Sequence, residues 1–240
     1  MKAIILAAGK GQRLGGVVDK VPKPMLKIGR KPVLERNIEW LRSFGVRDIY
    51  INLHHLPDVI RDYFGSGGRW EVKIRYSYEE TLLGTAGGVE KIVSEQWPDD
   101  FSKPFIVIYG DNLLSDFNLD EIVNFHKVKK GAGTICLYRN DEVAQSGIAV
   151  IDSENKIVKF VEKPGPGETV SNLVNAGIYV LEPAILEYIP KNGFSDFGKD
   201  VFHKVIRAGE NLYGIVLEGN LIAIDSPELL EKAMGGNAKQ

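Results

Sequence analysis

Lys2-Ala3-Ile4-Ile5-Leu6-Ala7-Ala8-Gly9-Lys10-Gly11-Gln12-Arg13-Leu14 opens the chain with a short apolar run that breaks into small residues and two glycines. A β-prone run of this length, bounded by Gly, reads as a buried strand delivering its carboxyl end to a loop. In such a loop, backbone N–H groups unshielded by side chains can come close to an anion. Leu6, Ala8, Gly9 and Gly11 are the candidate backbone contacts, and Arg13 adds a planar cation with several donors. The loop is not a P-loop, because the terminal Lys-Ser/Thr pair is absent, and Leu14 stands where a dinucleotide fingerprint has its third glycine. The next strand-like run ends in Asn52-Leu53-His54 and lacks the acid that would hold a ribose, which sets a nucleotide-dependent oxidoreductase aside.

Working outward, Val- and Ile-rich runs recur at residues 2–7, 48–53, 72–76 and 105–109, with helical spacing between them. Leu34, Ile38 and Leu41 share a helix face that Gly45 closes, so the chain begins as a βαβ unit. Asn118 before Leu119-Asp120-Glu121 predicts a capped helix with Leu119, Ile122, Val123 and His126 on one face. From Gly131 the strand signals crowd together, at 133–138, 148–152, 157–162 and 174–181. The expected fold is α/β, a single Rossmann-like domain over residues 1–240 with a mixed, mostly parallel central sheet and helices on both faces. The segment Pro164-Gly165-Pro166-Gly167-Glu168 reads as a surface loop, and residues 235–240 as a frayed tail.

The 240 residues, 44% apolar, are enough to bury one sizeable core. Thirty Lys and Arg against 32 Asp and Glu leave a formal charge of -2, so no global field favours nucleic acid or an anionic membrane, and any polyanion site must be local. Cys136 is the single cysteine and sits in an apolar run, as a buried hydrophobe would; no disulfide can form within the chain. The opening apolar run is too short for a signal peptide or a membrane span, so the expected compartment is the cytoplasm. His54 and His55 are adjacent on a strand end and point in opposite directions, and no acid or Cys stands at ligand spacing, which argues against a metal site there. Trp40, Trp70 and Trp97 lack an accompanying basic stripe and read as packing residues.

Pro22-Lys23-Pro24-Met25 presents a second cation, Lys23, between two prolines that stiffen its backbone. Gly9-Lys10-Gly11-Gln12-Arg13-Leu14 followed by Pro22-Lys23-Pro24-Met25 resembles the signature of the sugar-phosphate nucleotidyltransferases, the nucleotide-sugar pyrophosphorylases. Later segments agree in order and spacing over nearly the whole chain. Leu83-Gly84-Thr85-Ala86-Gly87-Gly88 resembles the family's nucleobase-reading turn, Gly110-Asp111 its metal-binding aspartate, Phe160-Val161-Glu162-Lys163-Pro164 its sugar-phosphate segment and Asn175-Ala176-Gly177 its sugar-contacting strand.

The resemblance implies a soluble enzyme that joins a sugar 1-phosphate to the nucleoside monophosphate part of an NTP and releases pyrophosphate. Arg13 and Lys23 would bind the NTP phosphates, Gly84 and Thr85 the base, and Lys163 the incoming phosphate. Glu162 would hold the sugar hydroxyls, with Gly147 and Asn175 as further sugar contacts. Mg2+ would sit on Asp111 and Asp225. At the second acid the sequence departs from the commoner pattern, in which the acid stands at the position of Ala223 and a glycine at 225; another branch of the superfamily places its acid in an Ile/Val-Asp-Thr-Pro-Glu pattern that matches Ile224-Asp225-Ser226-Pro227-Glu228. The Gly84–Gly88 stretch is most like that of mannose-1-phosphate guanylyltransferases, while thymidylyl-, uridylyl- and heptose-1-phosphate guanylyltransferases stay open. So does a catalytically silent regulator that binds an NDP-sugar, which Ala223 motivates. No membrane or nucleic-acid partner is implied, a homo-oligomer is open, and no appended β-helix domain is read in the sequence.

Overall fold

The computed structural model describes residues 1–165 and 167–236; Pro166, within the expected loop, and residues 237–240 of the expected tail lie outside the described residues. The strands are β1 (Ala3–Leu6), β2 (Lys27–Ile28), β3 (Lys31–Pro32), β4 (Asp48–Leu53), β5 (Lys73–Tyr78), β6 (Phe105–Tyr109), β7 (Asn112–Ser115), β8 (Gly133–Arg139), β9 (Gly147–Ile151), β10 (Ile157–Glu162), β11 (Leu173–Leu181), β12 (Leu212–Val216) and β13 (Asn220–Ala223). The α-helices are α1 (Val33–Ser43), α2 (Pro57–Phe64), α3 (Gly84–Glu90), α4 (Leu119–Lys129), α5 (Phe202–Arg207) and α6 (Pro227–Gly236). The class is α/β with a mixed sheet, as the sequence led us to expect.

The chain divides into two compact units. One comprises residues 1–82, 108–115 and those from 220 onward; the other comprises 83–107 and 116–219. In the first, β1, β4 and β5 lie side by side and parallel, Ala3 opposite Ile49 and Asp48 opposite Lys73. Residues buried on both faces explain the near-continuous apolar runs. Helix α1 completes the βαβ opening with Leu34, Ile38 and Leu41 fully buried, and the chain leaves it through Gly45 at φ 78°, where a side chain would be strained. Short β7 pairs antiparallel with β13, Asn112 opposite Ala223.

In the second unit the strands are mainly antiparallel. β10 pairs with β9, β11 with β9 and β8, and β12 runs parallel to β8. Helix α4 packs on β8, β11 and β12. Its cap is the one expected: Asn118 Oδ1 accepts from the N–H groups of Asp120 and Glu121 at 3.1 and 3.3 Å, an arrangement worth about 1 kcal/mol. Cys136 is fully buried, and burial pushes its thiol pKa up, so it stays protonated and inert at neutral pH.

The structure corrects the sequence reading in two places. Residues 84–90 form a helix where a glycine turn was expected. The strands β2, β3, β7, β12 and β13 went unread: β2 and β3 are two residues each, and β7 and β13 are four residues each and half-exposed, so none of these four shows a period. Among the described residues no helix is long and apolar enough to cross a membrane.

Candidate active site

In the first unit the glycine loop follows β1 and is held from below. Asn52 Oδ1, fully buried, accepts from the Ala7 N–H at 2.7 Å, while its amide donates to Glu79 at 2.8 Å. Leu6 and Ala8 are buried, whereas Gly9 and Lys10 are exposed, and Gly11 takes φ 64°. A Cβ on Gly11 would stand 3.3 Å from that of Lys23, so the missing side chain is what lets the loop lie against the Pro22-Lys23-Pro24 segment. Leu14 and Val18 anchor the loop in a cluster with Leu26, Ile28, Val33 and Ile224. That cluster seats Arg13 and Asp225, the neighbours of Leu14 and Ile224, at the same place.

Two carboxylates meet there. Gly110 donates its N–H to Leu6 O at 2.9 Å, an approach a Cβ would obstruct, and this places Asp111 beside the end of β1. The pairing of β7 with β13 puts Ala223 across from Asn112, and the chain then bends so that Asp225 comes level with Asp111. Ser226 follows as an N-cap, its Oγ accepting from Leu229 N–H at 3.3 Å, and Pro227 starts α6. The Lys23 ammonium bonds Asp111 Oδ2 at 2.5 Å and also Asp225 Oδ1, while Arg13 Nη2 lies 3.0 Å from Asp225 Oδ2. The Lys23 side chain is 7% exposed, Asp111 and Asp225 are about a quarter exposed, and Arg13 is half exposed. Burial works against the Lys23 charge, but Asp111 and Asp225 outweigh it and raise its pKa. Burial likewise opposes the Asp225 charge, and Lys23 and Arg13 outweigh it, so its pKa is lowered and it is ionised at neutral pH.

Among the described residues no group of three or more His, Cys, Asp and Glu gathers to hold a metal. The Asp111–Asp225 pair still fits Mg2+, which takes one or two protein carboxylates and fills its shell with phosphate and water oxygens. The fit rests on one observation: carboxylate oxygens of both residues already converge on a single cation, Lys23. His54 and His55 are spent on backbone carbonyls, Glu79 O at 2.8 Å and Val18 O at 2.9 Å.

The second unit assembles another group. β9 and β10 put Gly147 opposite Glu162, and the pairing of Val174 with Ile148 brings the start of β11 alongside β9. Val143, Ile148 and Val174 pack beneath, with Val161 against them. Asn175 Oδ1 accepts from Gly177 N–H at 2.9 Å and its amide donates to Tyr179 OH at 2.7 Å. Lys163 takes a left-handed φ of 54° with its N–H on Ser146 O at 3.0 Å; that conformation costs a non-glycine residue about 1 kcal/mol and re-aims its exposed side chain. Burial raises the Glu162 pKa; the Lys163 charge opposes this, the Asp196 charge adds to it, and Lys199 opposes it.

A Cβ on Gly147 would stand 2.6 Å from Glu162 Oε2 and 2.7 Å from the buried Phe160 ring. The carboxylate can swing aside and the ring cannot. Gly147→Ala is therefore expected to cost about 1–3 kcal/mol, the usual penalty of overpacking, read as a lowered urea midpoint at unchanged slope. An unaltered midpoint would mean that Phe160 yields.

Thr85 sits in α3, bound to a residue that sequence reading passed over. Asp196 Oδ1 accepts from both the Thr85 N–H (3.1 Å) and its hydroxyl (3.2 Å). Gly84, at φ 77°, and Gly87 also meet a packing requirement: a Cβ on Gly84 would stand 2.5 Å from the carbonyl of Ser195, and one on Gly87 2.6 Å from that of Gly193. The only trace in the sequence was an Asp, a Gly, a Lys and an Asp within residues 196–200, a density of charge that any solvated face can show.

The nucleotidyl transferase family model matches residues 2–222. The UTP--glucose-1-phosphate uridylyltransferase of Synechocystis is 38% identical over 91% of this chain and 58% of its own length. Mannose-1-phosphate guanylyltransferase 1 of Arabidopsis thaliana is 34% identical over 95% of this chain and 62% of its own. The chain thus spans about three fifths of the length of these curated relatives. Among solved structures, HddC from Yersinia pseudotuberculosis complexed with GMP-PN superposes with a TM-score of 0.81 at 28% identity, covering 98% of this chain and 99% of that one. A family match over nearly the whole chain, together with a glycine loop whose cations and carboxylates converge, leads to one statement of kinship: the chain belongs to the nucleotidyl transferase family.

Proposed function

We propose that the chain catalyses condensation of an NTP with a sugar 1-phosphate to an NDP-sugar and pyrophosphate. The observation that carries this reading is the convergence of Arg13, Lys23, Asp111 and Asp225 at the glycine loop. The reaction is an in-line displacement: a phosphate oxygen of the sugar 1-phosphate attacks the α-phosphorus, the bond to the β-phosphate oxygen breaks, and pyrophosphate leaves with the electron pair. No protein nucleophile is needed. Both reactants are anions, so the protein must neutralise their repulsion and hold them aligned, and alignment contributes on the order of 7 to 11 kcal/mol.

Lys23 and Arg13 bind the triphosphate, aided by the N–H groups of the loop from Leu6 to Gly11. Arg13, half exposed, can turn from Asp225 to a phosphate. Asp111 and Asp225 would hold Mg2+, which when bound supplies positive charge at the reacting phosphates. Lys163 meets the incoming phosphate. Glu162 accepts from sugar hydroxyls, with Gly147 and Asn175 beside it. Ala223 lies across from Asn112, and Asp225 occupies the place beside Asp111; this favours a competent enzyme over a silent NDP-sugar regulator.

We read the substrates as GTP and mannose 1-phosphate, on the likeness of the Gly84–Gly88 stretch. UTP with glucose 1-phosphate is the second reading, favoured by the relative at 38% identity. Pyrophosphate release from a matrix of the common NTPs against mannose, glucose, N-acetylhexosamine and heptose 1-phosphates decides between them, and a folded protein that turns over no pair while binding an NDP-sugar would be the regulator. Within the active pair, Lys163→Ala should raise the KM for the sugar phosphate by about 10-fold or more, as loss of a charge-assisted contact implies, with the KM for the NTP within ~3-fold. Equal damage to both KM values would end this division of labour.

A further inference from the structure

Helix α3 is poorly made to stand alone. Three of its seven residues are glycine, and Gly87 and Gly88, inside the helix, each cost about 1 kcal/mol relative to alanine. The chain stays helical beyond it, as a π-helical stretch over Lys91–Gln96, yet so glycine-rich a start is weak by itself and draws on contacts from elsewhere in the fold. Residues 193–197 supply the hold. Ser195 O accepts from the N–H groups of Ala86 and Gly87 at 2.9 and 3.1 Å, and Ser195 N–H donates to Leu83 O at 2.8 Å. Asp196 takes both donors of Thr85, and Thr85 Oγ1 in turn accepts from Phe197 N–H at 2.9 Å. Asp196 is itself fixed, its N–H donating to Asp200 Oδ2 at 2.8 Å.

The same segment also lies against the carboxylate assigned to the sugar. Two residues beyond Asp196, Gly198 faces the Glu162 carboxylate, and any Cβ there would collide with Oε2. Glu162 therefore lies between two glycines, Gly147 and Gly198. One short stretch of chain thus holds the segment assigned to the base and makes room for the carboxylate assigned to the sugar.

We propose that Asp196 is a positioning residue for nucleotide selection: by binding both the N–H and the hydroxyl of Thr85 it sets the attitude of α3 against the base, from the same segment that seats Glu162. The inference rests on the reading of the site given above. It concerns the acceptor geometry of Asp196 rather than its charge, because one oxygen, Oδ1, takes both bonds. An asparagine can keep that oxygen and an alanine cannot.

The test compares Asp196→Ala with Asp196→Asn in the full chain. Asp196→Ala should raise the KM for the preferred NTP by about 10-fold or more and narrow the ratio of kcat/KM between the best and second-best NTP by a similar factor, with the KM for the sugar 1-phosphate within ~3-fold. Asp196→Asn should bring both nucleotide values back to within ~3-fold of the parent. Amide hydrogen exchange supplies a readout independent of turnover: the Thr85 N–H should exchange at least ~10-fold faster in Asp196→Ala and near the parent rate in Asp196→Asn. Unchanged base preference and unchanged Thr85 exchange in Asp196→Ala would overturn the proposal, even with a lowered Tm. So would an Asp196→Asn protein as damaged as the alanine variant. If the parent turns over no NTP and sugar phosphate pair, the functional reading has failed, and exchange at Thr85 alone decides whether Asp196 holds α3.

Discussion

Asp111→Asn should leave the protein folded and lower turnover by at least ~100-fold, about the 2.7 kcal/mol typical of one lost electrostatic contact in a site. The fold survives because an asparagine oxygen can still accept from Lys23, and the Asp111 backbone carbonyl keeps its bond from Ile224 N–H at 3.2 Å. What disappears is half of the negative charge that would hold a divalent ion. Pyrophosphate release at saturating substrates measures the effect, alongside a thermal melt that should move by no more than a few degrees. Turnover near that of the parent would remove Asp111 from the metal site.

Lys23→Met should act twice. It removes a cation from the triphosphate, with an expected loss of at least ~100-fold in kcat/KM for the NTP. It also leaves Asp111 and Asp225 side by side, with Arg13 3.0 Å from Asp225. Stranding a buried charge costs roughly 3–5 kcal/mol; with both carboxylates about a quarter exposed, we expect on the order of 2 kcal/mol here. At about 2–4 °C per kcal/mol for a chain of this length, the melting temperature in EDTA should fall by roughly 4–8 °C. Excess Mg2+ should restore most of it, because a divalent ion can replace the lost ammonium. In the parent, Mg2+ without nucleotide should shift the melt much less, since Lys23 and Arg13 already neutralise the two acids. Equal Mg2+ shifts in parent and variant would show that the ion does not share the place of the Lys23 ammonium.

The parts of the fold legible in the sequence are those with their own periodicity or cap. β4, β6 and β10 match the runs read for them, α1 carries its three apolar residues inward, and Asn118 caps α4 with its own side chain. These are local effects, decided within a few residues by side-chain direction and backbone hydrogen bonding, so a single sequence is enough to see them. The cations of the glycine loop were legible for the same reason: Arg13 and Lys23 lie ten residues apart, around one turn of chain.

Pairings across long stretches carry no local signal: only the family resemblance named Asp225 beside Asp111, and nothing named Asp196. Asp225 is 114 positions from Asp111, and what unites them is the four-residue strand pair β7–β13, which is too short and too exposed to carry a pattern. The sequence raised the question of Ala223 against Asp225; the register of that pair is what brings Asp225, and not residue 223, to Lys23. Asp196 is 111 positions from Thr85, and nothing in its neighbours announces the contact. The glycines of α3 were legible as glycines, while one requirement for them was not: a Cβ at Gly84 or Gly87 would meet carbonyls of residues 195 and 193. By itself the sequence determined the α/β class, the glycine loop with its two cations and the kinship of its motifs, all written in local order. Tertiary structure supplied the contact that brings Asp225 level with Asp111, and it alone decided what holds residues 84–90, because strand register and close backbone approach depend on residues that meet only after the chain has folded.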